Sequence, residues 1–255
     1  MLYIGVDLGT SAVKLLLMDG SGRIHKVVSR EYPLYFPHPG WSEQNPEDWF
    51  TASMDGMKEL TSECDKSQVA GISFGGQMHG LVTLDEADEV IRPAILWNDG
   101  RSEKETDYLN QNIGKDKLSA YTANIAFTGF TAPKILWMKK NEPENFARIC
   151  RIMLPKDYLA YRLSGSFCTD YSDASGMLLL DVAHKRWSEE MMEMCGITRK
   201  QLPDLYESYQ VVGNLKEELA KELLDYVLAV ASGRKVKSEK AGFHDMAIFK
   251  QGVTL

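Results

Sequence analysis

Cysteine is scarce in this chain and nowhere paired. The four residues Cys64, Cys150, Cys168 and Cys195 form no C-x-x-C. Neither a structural zinc site nor a thioredoxin motif is indicated, and the four read as reduced thiols of a cytoplasmic protein. Long apolar runs are missing too: near the start the longest is Leu15 to Met18, far short of a signal peptide or a membrane span. A basic block is also absent, since 29 Lys and Arg face 36 Asp and Glu for a net charge of −7. That balance argues against nucleic acid and membrane surfaces as partners. Internal repeats and low-complexity stretches are lacking as well.

What remains is ordinary globular material. Of 255 residues, 44% are hydrophobic and 25% charged, which excludes disordered, collagenous and coiled-coil chains. A chain of this size buries roughly 70–75% of its unfolded surface, so its core needs no disulfide or metal. Three strands are expected at residues 2–7, 13–18 and 24–30, the last two joined by the tight turn Asp19-Gly20-Ser21-Gly22. Short turns between strands make an antiparallel meander. Asn45-Pro46-Glu47-Asp48 starts a helix with an N-cap, a first-position Pro and acids at the dipole. Further strands are expected at Val69–Phe74 and Leu81–Leu84, and a capping box at Ser102 and Glu105. Helices are expected at Pro133–Lys140, at Pro155–Leu163, between Ser188 and Gly196, and at Glu217–Val230. Strands first, then strand alternating with helix, argue for an α/β fold, a mixed sheet with helices on its faces.

Three constellations can carry chemistry. Gly5-Val6-Asp7-Leu8-Gly9-Thr10-Ser11 lies between two strands. Gly9 permits a sharp turn, exposed amides and the Thr10 and Ser11 hydroxyls suit an anion, and Asp7 would repel a phosphate unless Mg²⁺ lay between. The run matches neither G-x-G-x-x-G nor a P-loop, and a plain hairpin with a polar tip reads equally well. Phe74-Gly75-Gly76-Gln77-Met78-His79-Gly80 brackets polar side chains with glycines. Such backbone can approach a ligand, or it is a bent strand with a satisfied histidine. Trp97-Asn98-Asp99-Gly100-Arg101 sets an aromatic face beside an amide, a carboxylate and a guanidinium. That combination suits a polyol, or a buried tryptophan followed by a charged turn. The other histidines show no ligand spacing, and Trp41, Trp49, Trp137 and Trp187 are expected in the core or at an interface.

Together these segments resemble the FGGY family of carbohydrate kinases, of the actin-like ATPase (ribonuclease H-like) superfamily. The first constellation is similar to that superfamily's first phosphate loop. The run Gly129-Phe130-Thr131-Ala132-Pro133-Lys134-Ile135-Leu136-Trp137-Met138-Lys139-Lys140-Asn141 fits the family's N-terminal signature. Gly76-Gln77-Met78-His79-Gly80, Trp97-Asn98-Asp99-Gly100-Arg101, Pro155-Lys156-Asp157-Tyr158 and Thr169-Asp170-Tyr171-Ser172-Asp173-Ala174-Ser175-Gly176 resemble its xylulose-phosphorylating branch. Glycerol kinases carry an Arg-Glu pair where Met78-His79 stands. The resemblance implies roles: Asp7 holding Mg²⁺ through water, Gly9, Thr10 and Ser11 on ATP phosphates with Lys14 nearby, and Met78, His79 and Trp97 on the ketose. Asn98, Asp99 and Arg101 are implied as further pocket residues.

The resemblance covers residues 1 to about 222, implying one actin-like domain there. Full-length members carry a second such domain after a Gly-rich strand whose Asp is the general base. Residues 223–255 instead form a basic-leaning tail, with Arg234, Lys235, Lys237, Lys240 and Lys250, and are similar to the C-terminus of altronate-type dehydratases. The expectation is a sugar- and ATP-binding half, inactive alone, with a homodimer left open. Two rivals stand beside a xylulose kinase half: a non-catalytic sugar-binding or interaction module, and a kinase half for another ketopentose or a polyol.

Overall fold

The computed structural model of the protein describes residues 1–224 and 247–250. Its first strands are β1 (Leu2–Leu8), β2 (Ala12–Asp19) and β3 (Ile24–Glu31). β1 and β2 pair antiparallel, with Asp7 opposite Lys14, and β2 pairs antiparallel with β3. At the second turn Asp19 Oδ1 accepts from the amides of Ser21 (2.9 Å) and Arg23 (3.2 Å), a local carboxylate turn of the kind Asp favours. The expected meander is present.

After β3 the chain crosses into α1 (Pro46–Thr61). Asn45 caps this helix by accepting from the Glu47 amide at 3.2 Å, and Trp49, Met54, Met57 and Leu60 bury its apolar face. The chain returns in the strand Val69–Gly76, which lies parallel to β1. From one edge the sheet runs Val211–Asn214, Ala247–Lys250, Val69–Gly76, β1, β2, β3. Its pairs are both parallel and antiparallel, so the sheet is mixed.

Period-two alternation sorts β1 between the two faces. Ile4, Val6 and Leu8 are buried in the core that holds α1, Tyr158 and Leu159 of the helix Pro155–Ser164, and Leu219 and Leu223 of the helix Glu217–Leu224. Tyr3, Gly5 and Asp7 point the other way and are partly or wholly exposed. At roughly 1.5–3 kcal/mol for each fully buried large aliphatic side chain, the buried face fixes the register, and with it the side on which Asp7 emerges.

A second core surrounds the helix Thr131–Asn141, with Leu109, Leu118, Leu178, Trp187 and Met191. Leu81 and Ile95 belong to it, while Val82, Ala94 and Leu96 belong to the first. The stretches 81–84 and 94–96, which contain the short strands Val82–Leu84 and Ala94–Ile95, thus stitch the two cores together, and the loops after residues 76 and 96 emerge beside that seam.

One local expectation fails. Ser102 makes no side-chain cap; its hydroxyl donates to Thr128 O (3.3 Å), and its ψ of 22° is not extended. Without that cap the helix Glu103–Asp107 is short and passes directly into π-helical turns at Tyr108–Gly114. The Ser188 cap is present, accepting from Met191 N at 3.3 Å, and Gly165 (φ 76°) and Gly196 (φ 73°) end their helices in the left-handed region. The final helix is described as Glu217–Leu224. The remainder of the expected Glu217–Val230 helix and nearly all of the tail, including its dehydratase-like features, lie outside the described residues. Among the described residues no helix is long and apolar enough to cross a membrane.

Candidate functional site

The turn between β1 and β2 is held from behind. Gly76, at φ 139°, presses on β1 so closely that a Cβ there would sit 2.4 Å from Leu8 O. The Gln77 amide donates to that same oxygen at 2.7 Å. Tyr32 donates its hydroxyl to Gly9 O, and burial, then the Asp7 charge, raise the phenol's pKa and keep it a donor. Gln44 donates from Nε2 to Thr10 O (2.7 Å) and accepts at Oε1 from Trp49 (3.1 Å) and Gln77 (3.0 Å). Gly9 spends its own amide inside the turn, on Asp7 O (3.2 Å) and Ala12 O (3.0 Å). The turn therefore offers outward the exposed Asp7, Ser11 and Lys14 side chains, with Thr10 beside them.

The second and third constellations converge on this turn. Trp97 is 49% exposed, and its indole N–H donates to Thr10 Oγ1 at 3.0 Å. Met78 is also exposed. His79 adopts φ 64°, a left-handed conformation uncommon outside glycine. Its ring stacks on Phe130 at 4.9 Å and 7°. Nδ1 lies 2.9 Å from Gly176 O; a carbonyl only accepts, so Nδ1 carries the proton and Nε2 is left an acceptor. Burial lowers the imidazole pKa, the Gly176 bond raises it and Lys134 lowers it again, for a net shift down. Gly176 has no room for a side chain, since a Cβ would meet His79 Cε1 at 2.2 Å.

Three residues of the Trp97–Arg101 run are not alike. Asn98 is exposed beside Trp97. The Asp99 and Arg101 side chains are fully buried and paired at 2.7 Å. Asp99 also accepts from Ser42 N (2.6 Å), while Arg101 reaches Glu43 (2.7 Å) and stacks over Trp41 at 3.8 Å. Arg101 grips the Asp99 carboxylate in a bidentate pair through Nε (2.9 Å) and Nη2 (2.7 Å), which holds the loop that presents Trp97.

Sequence reasoning passed over three groups. Gln44 lay next to the recognised Asn45 cap, but nothing local marks its amide as the tie between Thr10, Trp49 and Gln77. Lys134 sits in the signature run, where its type assigns it no role; its buried Nζ donates to His79 O (3.2 Å), Phe130 O (3.1 Å) and Gly129 O. Lys156 is buried among Asp157 (2.9 Å), Asp170 (2.8 Å) and Asp173 (2.7 Å). Asp170 also caps the short helix Tyr171–Ser175, accepting from Asp173 N at 3.0 Å, and that helix delivers Gly176 to His79.

The model of the N-terminal domain of the FGGY family of carbohydrate kinases matches residues 2–235. The chain belongs to this family. As an FGGY chain it is 43% identical over 220 residues to the xylulose kinase of Escherichia coli (strain K12), covering 86% of this chain and 45% of the relative. To the xylulose kinase of Lactococcus lactis subsp. lactis (strain IL1403) it is 45% identical over 238 residues, covering 91% and 47%. Among solved structures, the xyloylose kinase of Brucella ovis matches with TM-score 0.82 and 42% identity, over 86% of this chain and 46% of that one. The ligand-bound xylulose kinase of Lactobacillus acidophilus matches with TM-score 0.84 and 27% identity, over 97% and 47%. The FGGY chain described here thus spans about half the length of the curated relatives it matches. Its mixed sheet is the actin-like, ribonuclease H-like core of FGGY kinases.

Proposed function

We propose that this chain forms the sugar-binding and phosphate-binding wall of an ATP-dependent kinase acting on D-xylulose. The observation that carries the reading is the Trp97–Thr10 hydrogen bond, which seats a half-exposed aromatic face against the phosphate turn. On that wall the indole takes the C–H surface of the ketose, and neutral His79 offers Nε2 to a sugar hydroxyl, with Met78 and Asn98 at its edge. Gly9, Thr10, Ser11 and Lys14 belong to the ATP phosphates. The xylulose kinase relatives support a ketose over other polyols.

Phosphoryl transfer is governed by alignment and charge stabilisation, with a base to receive the hydroxyl proton. Among the described residues no cluster of three or more His, Cys, Asp or Glu side chains is arranged to hold a metal. The donor set still fits Mg²⁺, which takes one or two carboxylates and completes its shell with water and phosphate oxygens; Asp7 is the exposed carboxylate at the turn. When bound, Mg²⁺ spreads the charge of the phosphate being transferred.

Binding and turnover test different parts of this reading. His79→Ala should weaken D-xylulose binding in a titration against the parent chain, and equal affinities would remove His79 from the site. In a coupled ADP-release assay the 255 residues alone should turn over far below the roughly 1–100 s⁻¹ of kinases. They supply one wall, and loss of a general base alone costs about 10²–10⁴-fold. A kinase-like rate from these residues alone would overturn the assignment of the base to the other half of the relatives' length.

A further inference from the structure

The family signature contains a lysine whose burial has no ordinary reason. Lys134 is 0% exposed and lies in the first turns of the helix Thr131–Asn141, where the helix dipole disfavours a cation. Burying an ammonium is expensive, and a methionine would fill the same space. What lysine adds is three N–H donors, and three backbone carbonyls receive them: His79, Phe130 and Gly129.

Each carbonyl belongs to a segment that builds the sugar wall. His79 is the left-handed residue of its loop, and its carbonyl also accepts from Thr131 Oγ1 at 3.2 Å. Phe130 is the ring stacked on the His79 imidazole. Gly129 packs under the third segment, where an added Cβ would meet Trp97 O at 2.7 Å. One ammonium therefore ties the peptide of His79, the ring that holds its imidazole flat, and the backbone beneath Trp97.

We propose that Lys134 is a positioning residue of the sugar wall: it fixes the rotation of the His79 peptide and thereby the direction of Nε2, setting ketose affinity without touching the sugar. This rests on the ketose-binding reading given above. Burial pushes Lys134 down to about 7, with Asp99 raising it and Arg101 lowering it. The ammonium that makes all three bonds is thus on the edge of losing one donor near neutral pH. The groups facing it are the charged Asp99 and Arg101, from the turn after Trp97, and the titratable but neutral His79.

The test uses the 255-residue chain with ¹³C,¹⁵N-labelled histidine and lysine. In Lys134→Met the His79 ring resonances should leave their Phe130-stacked position, and D-xylulose affinity should fall at least tenfold. Ring resonances and affinity both within twofold or unshifted from the parent would overturn the proposal. If Lys134→Met does not fold, the parent decides. Its His79 ring resonances should move with the same pH midpoint as Lys134 Nζ, while the imidazole keeps its neutral tautomer; titration of Nζ without that movement overturns the proposal. If the parent binds no D-xylulose, the ketose reading falls and the resonance arm still decides whether Lys134 positions His79. If His79→Ala weakens binding but Lys134→Met changes neither readout, the positioning proposal fails alone.

Discussion

The indole N–H of Trp97 and the hydroxyl of Thr10, 87 residues apart in the chain, meet at 3.0 Å. Donation from Trp97 occupies a lone pair of Thr10 Oγ1 and leaves its own O–H to point elsewhere. Trp97→Phe keeps an aromatic face and removes only the N–H. A neutral hydrogen bond is worth about 0.5–1.5 kcal/mol net, so nucleotide affinity should fall by about two- to tenfold while D-xylulose affinity changes less. Trp97→Ala should weaken the sugar more than Trp97→Phe does. Calorimetric titration of both ligands against both variants checks the order, and equal loss of sugar affinity in the two would remove the ring from the sugar wall.

A glycine comparison separates crowding from backbone conformation. Gly76 and Gly22 both have positive φ, 139° and 87°, but a Cβ at Gly76 would strike Leu8 backbone while one at Gly22 would meet nothing within 4 Å. Gly22→Ala should cost only the conformational penalty, about 1–2 kcal/mol. Gly76→Ala should cost more than that, because strand Val69–Gly76 must also move off β1, and it should abolish phosphate-turn binding. Urea unfolding of the two variants measures the difference; equal destabilisation would show that the Leu8 contact relaxes freely.

How much of this was legible in the sequence depends on how local each cause is. The β1–β3 meander, the Asn45 cap and the ends at Gly165 and Gly196 follow from neighbours in the chain, and the structure has them all. Ser102 looked like a cap by spacing, but a carbonyl 26 residues away, Thr128 O, takes its hydroxyl. That Asp99 and Arg101 are buried against each other cannot be read from residue type. Gln44, Lys134 and Lys156 make their bonds to Thr10, His79 and Asp170, at sequence distances where periodicity and capping rules carry no signal.

Lys156 is the most consequential of those three for stability. With three carboxylates around one buried ammonium, Lys156→Met removes the positive charge that pairs with Asp157, Asp170 and Asp173 alike. Breaking a buried ion pair from one side typically costs about 3–5 kcal/mol. The variant should unfold at markedly lower urea, and Gly176 should lose its hold on His79. Asp157→Asn in the Lys156→Met background should recover part of the loss by removing one like charge. No recovery would mean that repulsion among the carboxylates is not what destabilises the variant.

On the proposed ketose-binding reading, the pH dependence of sugar binding follows from His79. Its pKa is lowered in the folded chain, burial being the largest cause, against an ordinary imidazole value of about 6.5. Between those two values the unfolded chain binds the proton and the folded chain does not, so stability rises with pH through the window. The contribution is complete above about 6.5 and is lost as pH falls through the folded value. Binding has the same sign for a second reason: protonation removes the Nε2 acceptor. Below the folded pKa, D-xylulose affinity should therefore fall by up to about tenfold per pH unit, since one pKa unit equals 1.36 kcal/mol. His79→Gln keeps a neutral acceptor that does not titrate, so its affinity should be weaker than the parent's at pH 7 and should lack the parent's fall below the imidazole pKa. A parent profile as flat as that of His79→Gln would show that the neutral imidazole is not what the ketose recognises.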